Sequence, residues 1–200
     1  MDELVKQSLT KWPNVPHCYG WLALDARGAF RMRDEAAQAA HQQGDIIRHE
    51  SLLAFIYRNY DCDNRGAWYF QNGPQRVYVE LESTPFIART DPECGFVLHD
   101  RAPMREIDEV FMTNEGQLII QSHQKIAMLD PNDLAQCLSM LSINGHSVED
   151  NDLLNWLSTP HQALKMKLGQ EFKNVEWVAS NQLENRFNFI AHPSKLEHKN

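Results

Sequence analysis

A short turn signature recurs along this 200-residue chain and restricts its fold more than any other feature. Asp25-Ala26-Arg27-Gly28-Ala29-Phe30 returns 38 residues later as Asp63-Asn64-Arg65-Gly66-Ala67-Trp68, with four identities in six and an aromatic at the end. A looser third copy is Thr113-Asn114-Glu115-Gly116, flanked by Val110-Phe111-Met112 and Gln117-Leu118-Ile119-Ile120. Extended-type runs on both sides of a turn that ends in Gly predict a β-hairpin. Self-similarity along the chain points to a repeated supersecondary unit. The alternative is that any hairpin turn favours Asp, Asn and Gly, with no duplication behind it.

The intervening residues predict helices and further strands. Glu50 to Asn59 carries Leu52, Leu53, Ile56 and Tyr57 at helical spacing. Asp130 reads as an N-cap with Pro131 at the first helical position, and Leu134, Cys137, Leu138 and Leu141 as the buried stripe of a helix ended by Asn144-Gly145. A third helix is expected from Ser147 or Val148 to Ser158 with Leu153, Leu154 and Leu157 inward, and a shorter one from His161 to Leu168. Strands are expected at Trp68–Phe70, Arg76–Glu82, Phe86–Arg89, Val175–Ala179 and Phe187–Ile190. In the second of these, Val77, Val79 and Leu81 face one side and Arg76, Tyr78, Glu80 and Glu82 the other. Gln38–Gly44 reads as a polar, Ala-rich connection, either helical or mobile. The expected fold class is therefore α+β: duplicated antiparallel hairpin/helix units in two small packed subdomains, 1–92 and 93–200, with the boundary at Thr90–Gly95, where Pro92 and Gly95 interrupt the pattern.

Charge narrows the partners. The formal net charge is −8, a field that opposes phosphate backbones, so nucleic acid is not expected. Residues 1–92 hold ten basic and twelve acidic side chains, and eight of the ten are Arg, whose planar fork suits carboxylate or phosphate. Ordinary surface ion pairs are the plain reading of that bias. Met1-Asp2-Glu3-Leu4-Val5-Lys6 does not read as a signal peptide, and no window approaches the roughly 20 apolar residues of a membrane span. Cys18, Cys62, Cys94 and Cys137 are scattered, as reduced thiols of a cytoplasmic protein would be.

Motifs for catalysis and metal binding fail one after another. There is no nucleophile elbow, Walker loop or dinucleotide fingerprint. His49-Glu50 begins a metalloprotease-like pattern, but Leu53 stands where the second His is needed. Asp61-x-Asp63 begins a calcium loop that Arg65 and Asn72 then spoil. Cys62, between two carboxylates, is a poor nucleophile. No catalytic residue, metal or cofactor is expected. One constellation survives: Trp68-Tyr69-Phe70-Gln71-Asn72-Gly73-Pro74-Gln75-Arg76 gathers aromatics, amides, a tight turn and an Arg. Amides read donor and acceptor patterns, aromatic rings stack on planar groups, and Arg pairs with an anion. The candidate ligand-binding residues are Arg58, Tyr60, Trp68, Gln71, Asn72, Gln75, Arg76 and Tyr78. Hairpin turn and core packing account for many of the same residues without any ligand.

Gly20-Trp21…Asp25-x-x-Gly28, Ile47-x-His49-x-x-Leu52, Asp63-x-x-Gly66-x-Trp68-Tyr69-Phe70 and Val77-x-Val79-Glu80-x-Glu82-x-x-Pro85-Phe86 together resemble a group of uncharacterised proteobacterial proteins that form a domain-of-unknown-function family. The resemblance covers roughly residues 18–125. It implies a duplicated α+β core whose second half is loosely pleckstrin-homology-like. It also implies a ligand site, nucleotide-like in chemistry, between the halves, and a signalling role; the family supplies no catalytic residue to carry over. Three functions stay open: a non-enzymatic module for a small polar or anionic ligand, an enzyme using Asp61, Asp63 or His49, and an interaction or homo-oligomer module. The last would use apolar residues such as Trp156 and Met166, for which core packing is the plain reading.

Overall fold

The three turns adopt one geometry in the computed structural model, which describes residues 1–194. In the first, the Asp25 N–H donates to the Ala29 carbonyl at 3.1 Å and the Gly28 N–H to the Asp25 carbonyl at 3.0 Å. Asp25 Oδ1 accepts from the N–H groups of Arg27 and Ala29. Asp63 repeats every one of these bonds with Arg65, Gly66 and Ala67. Thr113 repeats them with Glu115, Gly116 and Gln117, its hydroxyl oxygen replacing the carboxylate. Gly28, Gly66 and Gly116 all have φ near +80° (80, 88 and 78°). This is the three-residue hairpin loop in which a type I turn is followed by a left-handed residue.

The chain divides into two units, one formed by Met1–Pro85 with the segment from Asn188, the other by Phe86–Phe187. The first contains α1 (Glu3–Lys11), β1 (Cys18–Leu24), β2 (Phe30–Met32), α2 (Glu35–Ala39), β3 (Asp45–Ile46), α3 (Glu50–Arg58), β4 (Tyr60–Cys62), β5 (Trp68–Asn72) and β6 (Gln75–Leu81). Its six-stranded sheet has the order β3-β2-β1-β6-β5-β4, with β1 and β6 parallel and the other neighbours antiparallel. One face buries Leu22, Leu24, Phe30, Phe70, Val79 and Leu81. Helix α3 closes on it through Phe55, edge-on to Phe70 at 5.3 Å, and through Tyr57, 6.0 Å from Phe30. Because strand side chains alternate, the other face carries Ala23, Arg31, Tyr69, Gln71, Arg76, Tyr78 and Glu80. Residues 188–191 return to this unit: the Ile190 N–H donates to the Gly66 carbonyl and the Leu81 N–H to the Ala191 carbonyl.

The second unit runs β7 (Phe86–Asp91), β8 (Gly95–Leu98), β9 (Glu109–Thr113), β10 (Leu118–Ser122), β11 (Lys125–Leu129), α4 (Leu134–Leu138), β12 (Leu141–Ile143), β13 (His146–Ser147), α5 (Asp150–Ser158), β14 (Leu164–Leu168), β15 (Glu171–Val178) and α6 (Leu183–Phe187). The nine-stranded order is β13-β12-β14-β15-β9-β10-β11-β7-β8. Val110-Phe111-Met112 and Leu118-Ile119-Ile120 are buried without a break, as central strands covered on both faces must be.

The two sheets share one topology. Replacing β1, β2, β3, β4, β5 and β6 by β9, β10, β11, β12, β14 and β15 converts the first strand order into the middle of the second. Every pairing keeps its sense, including the parallel one, β1–β6 against β9–β15. Helices α3 and α4 fall at the same step of the sequence. The second unit adds the β7–β8 hairpin at one edge and inserts β13 and α5 before β14. The fold is α+β in a duplicated arrangement, and the first and third turn signatures stand at equivalent places in it.

Several expected elements differ. Asn144-Gly145 is not a helix end but the loop between β12 and β13, with both residues at positive φ, 53 and 82°. That is the demand of a two-residue type I′ hairpin. Leu141 accordingly lies on a strand, and the helix before it is one short turn. Residues 164–168 form strand β14, not a helix, because Leu164 and Met166 point inward at period two. Residues 183–187 are helical where a strand was expected from Phe187. Leu154 points outward, 61% exposed, and Trp156 is the buried residue of α5. Gln38 and Ala39 belong to α2, which is the helical alternative for that connection, whereas α1 was not foreseen. Thr90–Gly95 spans the turn of the β7–β8 hairpin, and the contacts divide the chain after Pro85.

Candidate functional site

The eight candidate residues do not form one cluster. Arg58, at the end of α3, pairs with Asp2 at 3.2 Å. Tyr60 and Trp68 lie on the helix-covered face, their rings 4.8 Å apart, and the Tyr60 hydroxyl donates to the Pro85 carbonyl. Asn72 and Gln75 flank the Gly73-Pro74 turn, and the Gln75 amide donates to the Pro16 carbonyl. Only Gln71, Arg76 and Tyr78 share the opposite face. Gln71 is fully buried and its amide donates to the Gly73 carbonyl at 2.9 Å.

Around Arg76 and Tyr78 the sheet brings together residues that were not singled out. Tyr19 stacks on Tyr78 with centroids 4.6 Å apart and planes within 4°. His17 meets the same ring edge-on at 5.8 Å, and Tyr69 does so at 5.8 Å from the other side. The Arg76 guanidinium lies 4.4 Å from the centre of the Tyr69 ring, in cation–π geometry, on the sheet face it shares with Tyr78. The bulge in β1 between Cys18 and Leu22, with Gly20 at φ 80°, puts Tyr19 over its neighbour.

Asp63 anchors the cluster. Besides closing its own turn, it accepts at Oδ2 from Arg65 Nε and Nη2 at 2.9 and 2.8 Å and from the Tyr78 hydroxyl at 3.0 Å. Burial pushes its carboxyl up, but the bonds from Arg65, the Ala67 and Arg65 N–H groups and Tyr78 outweigh it, and its pKa lies below the ordinary carboxylate range. Partial burial, then Arg76 and Arg65, push His17 down. Burial raises the Tyr78 phenol. Arg65 is committed to Asp63, whereas no carboxylate of the described residues lies within ion-pair distance of Arg76.

The groups considered for catalysis have structural work. His49 Nδ1 accepts the Leu52 N–H as the N-cap of α3, Asp61 accepts the Cys62 N–H, and Asp63 is held as above. Burial raises the Cys62 thiol to about 11, followed by Asp63 and Asp61, so it stays protonated. Trp156 and Met166 are both buried, and neither offers a surface. Among the described residues no three His, Cys, Asp or Glu side chains gather as a metal site. No helix among them is long and apolar enough to cross a membrane.

The model of the family DUF2944, described as "Protein of unknown function (DUF2946)", matches residues 1–194. The chain belongs to this family. A comparison with curated proteins finds no match. Among solved structures, the chain is similar to a DUF1285 family protein from Silicibacter pomeroyi DSS-3, with 12% identity, 92% of this chain and 99% of that one covered, and a TM-score of 0.50. At that identity the likeness is one of fold. The family is a domain of unknown function, and its members' chemistry has to be sought in side-chain geometry.

Proposed function

We propose that the protein is a non-enzymatic binding or regulatory module for a small, nucleotide-like anion held on the Tyr19–Tyr78–Arg76 face of the first sheet. The observation that carries this reading is Arg76: a half-buried guanidinium held over the Tyr69 ring, with no carboxylate partner among the described residues. A guanidinium held in place by aromatic packing loses little freedom when an anion arrives. Tyr19, half-buried and already stacked, supplies a ring face for a planar group. Stacking of a base on an aromatic side chain contributes about 1–3 kcal/mol. The net charge of −8 argues against a long polyanion on the same surface. A reducing, cytoplasmic setting belongs to this reading, and four free thiols support it.

The test is thermal denaturation with AMP, ADP, adenosine and inorganic phosphate as probes. A nucleotide at about 100 times its Kd adds roughly 2.7 kcal/mol, a rise of several degrees in Tm for a chain of this size. Arg76→Ala is expected to abolish the rise, whereas Arg58→Ala, on a residue paired with Asp2, retains it. No rise with any of the four probes, or an undiminished rise in Arg76→Ala, rejects the reading.

A further inference from the structure

A cleft of about 270 Å³ opens on the same sheet face, away from the tyrosines, and its walls carry opposite charges. Its floor follows from register: Ala23 pairs with Arg31 on one side and with Glu80 on the other. A methyl group between a guanidinium strand and a carboxylate strand leaves a depression, with Arg31 and Glu80 about two strand spacings (roughly 10 Å) apart. Arg31 is taken up by Asp25 at 2.7 Å and by the Gly44 carbonyl. Arg33 is not: Nε donates to the Gln42 carbonyl at 3.1 Å, and its two terminal nitrogens have no partner among the described residues. On the opposite wall Glu80 Oε2 meets His192 Nδ1 at 2.8 Å, and Glu82 Oε2 accepts the Ala26 N–H at 2.9 Å. Each of these carboxylates keeps a second oxygen without a partner among the described residues.

With Arg31 and Asp25 cancelling and His192 meeting one oxygen of Glu80, the charged groups that keep open polar atoms are Arg33 on one wall and Glu80 and Glu82 on the other. We infer that the cleft is a binding site for a free α-amino acid, with its carboxylate on Arg33, its ammonium on Glu80 and Glu82, and a preference for a basic side chain. A simple anion leaves the open oxygens of Glu80 and Glu82 unanswered, and a simple cation leaves Arg33 unanswered; a zwitterion with one additional positive charge answers all three. The volume lies just below the range of about 300–1,000 Å³ for drug-sized ligands, so it suits a metabolite of amino-acid size. None of the eight residues proposed from sequence lines it, and it does not depend on Arg76.

The experiment is isothermal titration of the full chain with L-lysine, L-lysine methyl ester, Nα-acetyl-L-lysine and L-glutamate. L-lysine is expected to bind, the ester and the acetylated form at least tenfold more weakly, and L-glutamate weakest. Glu82→Gln keeps an oxygen for the Ala26 N–H, so it preserves the turn while weakening L-lysine at least fivefold. Arg33→Gln is expected to bind lysine and its ester alike. Arg76→Ala is expected to leave L-lysine binding unchanged, which separates this site from the tyrosine face. No binding of L-lysine at millimolar concentration, equal binding of the blocked forms to the unaltered chain, or an unchanged affinity in folded Glu82→Gln overturns the assignment. If Arg33→Gln fails to fold, the blocked ligands and Glu82→Gln decide alone.

Discussion

His99 is the residue at which acid should tell most directly on the second unit. Its Nδ1 accepts the Ile87 N–H at 3.2 Å, which requires the neutral ring, and Phe86 packs 5.7 Å away. Burial pushes its pKa down from 6.5 to about 4; Asp100 opposes that shift, while Lys125 and Arg89 add to it. A folded pKa below the unfolded one means that protons are taken up on unfolding. The contribution is therefore complete above about pH 6.5 and is lost as pH falls toward 4. One such group gives a slope of up to about 1.4 kcal/mol per pH unit. Urea denaturation from pH 7 to 4.5 should show this slope in the native chain and lack it in His99→Asn; parallel curves would disprove it. The same scale explains why the candidate site was only partly legible. Trp68 and Tyr69 are adjacent in sequence and face opposite sides of the sheet, so a cluster drawn from nine consecutive residues mixes core with surface. Arg76 and Tyr78 were legible because they alternate on the polar side of a strand. Tyr19 and His17 were not, because only the parallel β1–β6 pairing brings them alongside.

Elements were legible where their signal was local. The Asp-x-Arg-Gly turns form as the sequence predicts because every bond they need lies within five residues. Strand β14 was misread because Leu, Lys and Met favour helices, although Leu164 and Met166 alternate as a strand requires. Its place between β12 and β15 settles the conflict. Two glycines separate what a turn demands from what a close approach demands. Gly145, at φ 82°, has nothing within 4 Å of where a Cβ would stand. Gly66, at φ 88°, would bring a Cβ to 2.3 Å from the Asn188 carbonyl oxygen. Gly145→Ala should therefore cost about 1 kcal/mol from conformation alone. Gly66→Ala adds displacement of a backbone segment and should cost about 3 kcal/mol or more. Equal losses in denaturant melts would show that the Asn188 carbonyl gives way freely.

At the scale of the whole molecule the repeat is one of topology. Outside the turn signature, the equivalent strands β6 and β15 share only a short run: in the common register Tyr78-Val79-Glu80-Leu81 stands against Asn174-Val175-Glu176-Trp177, where Val, Glu and an apolar residue recur. A pattern of strand order cannot be read from side chains when the second copy carries β13 and α5 as an insertion. The units also differ in how their chain closes. The second is continuous, Phe86–Phe187, whereas the first needs the segment from Asn188. Phe189 and Ala191 are buried there, Ile190 bridges to Ala67, and the Leu81 N–H depends on the Ala191 carbonyl at 2.8 Å. A chain ending at Phe187 should therefore lose order in the first unit alone. Burying Phe189 is worth about 1.5–3 kcal/mol, and the orphaned Leu81 donor adds about 1 kcal/mol or more. Hydrogen exchange should report faster exchange at Leu81 in the shortened chain, with Ile119 and Ile120 in the middle of the second sheet unchanged. Equal protection at Leu81 in both chains would mean that the returning segment lies on the first sheet without supporting it.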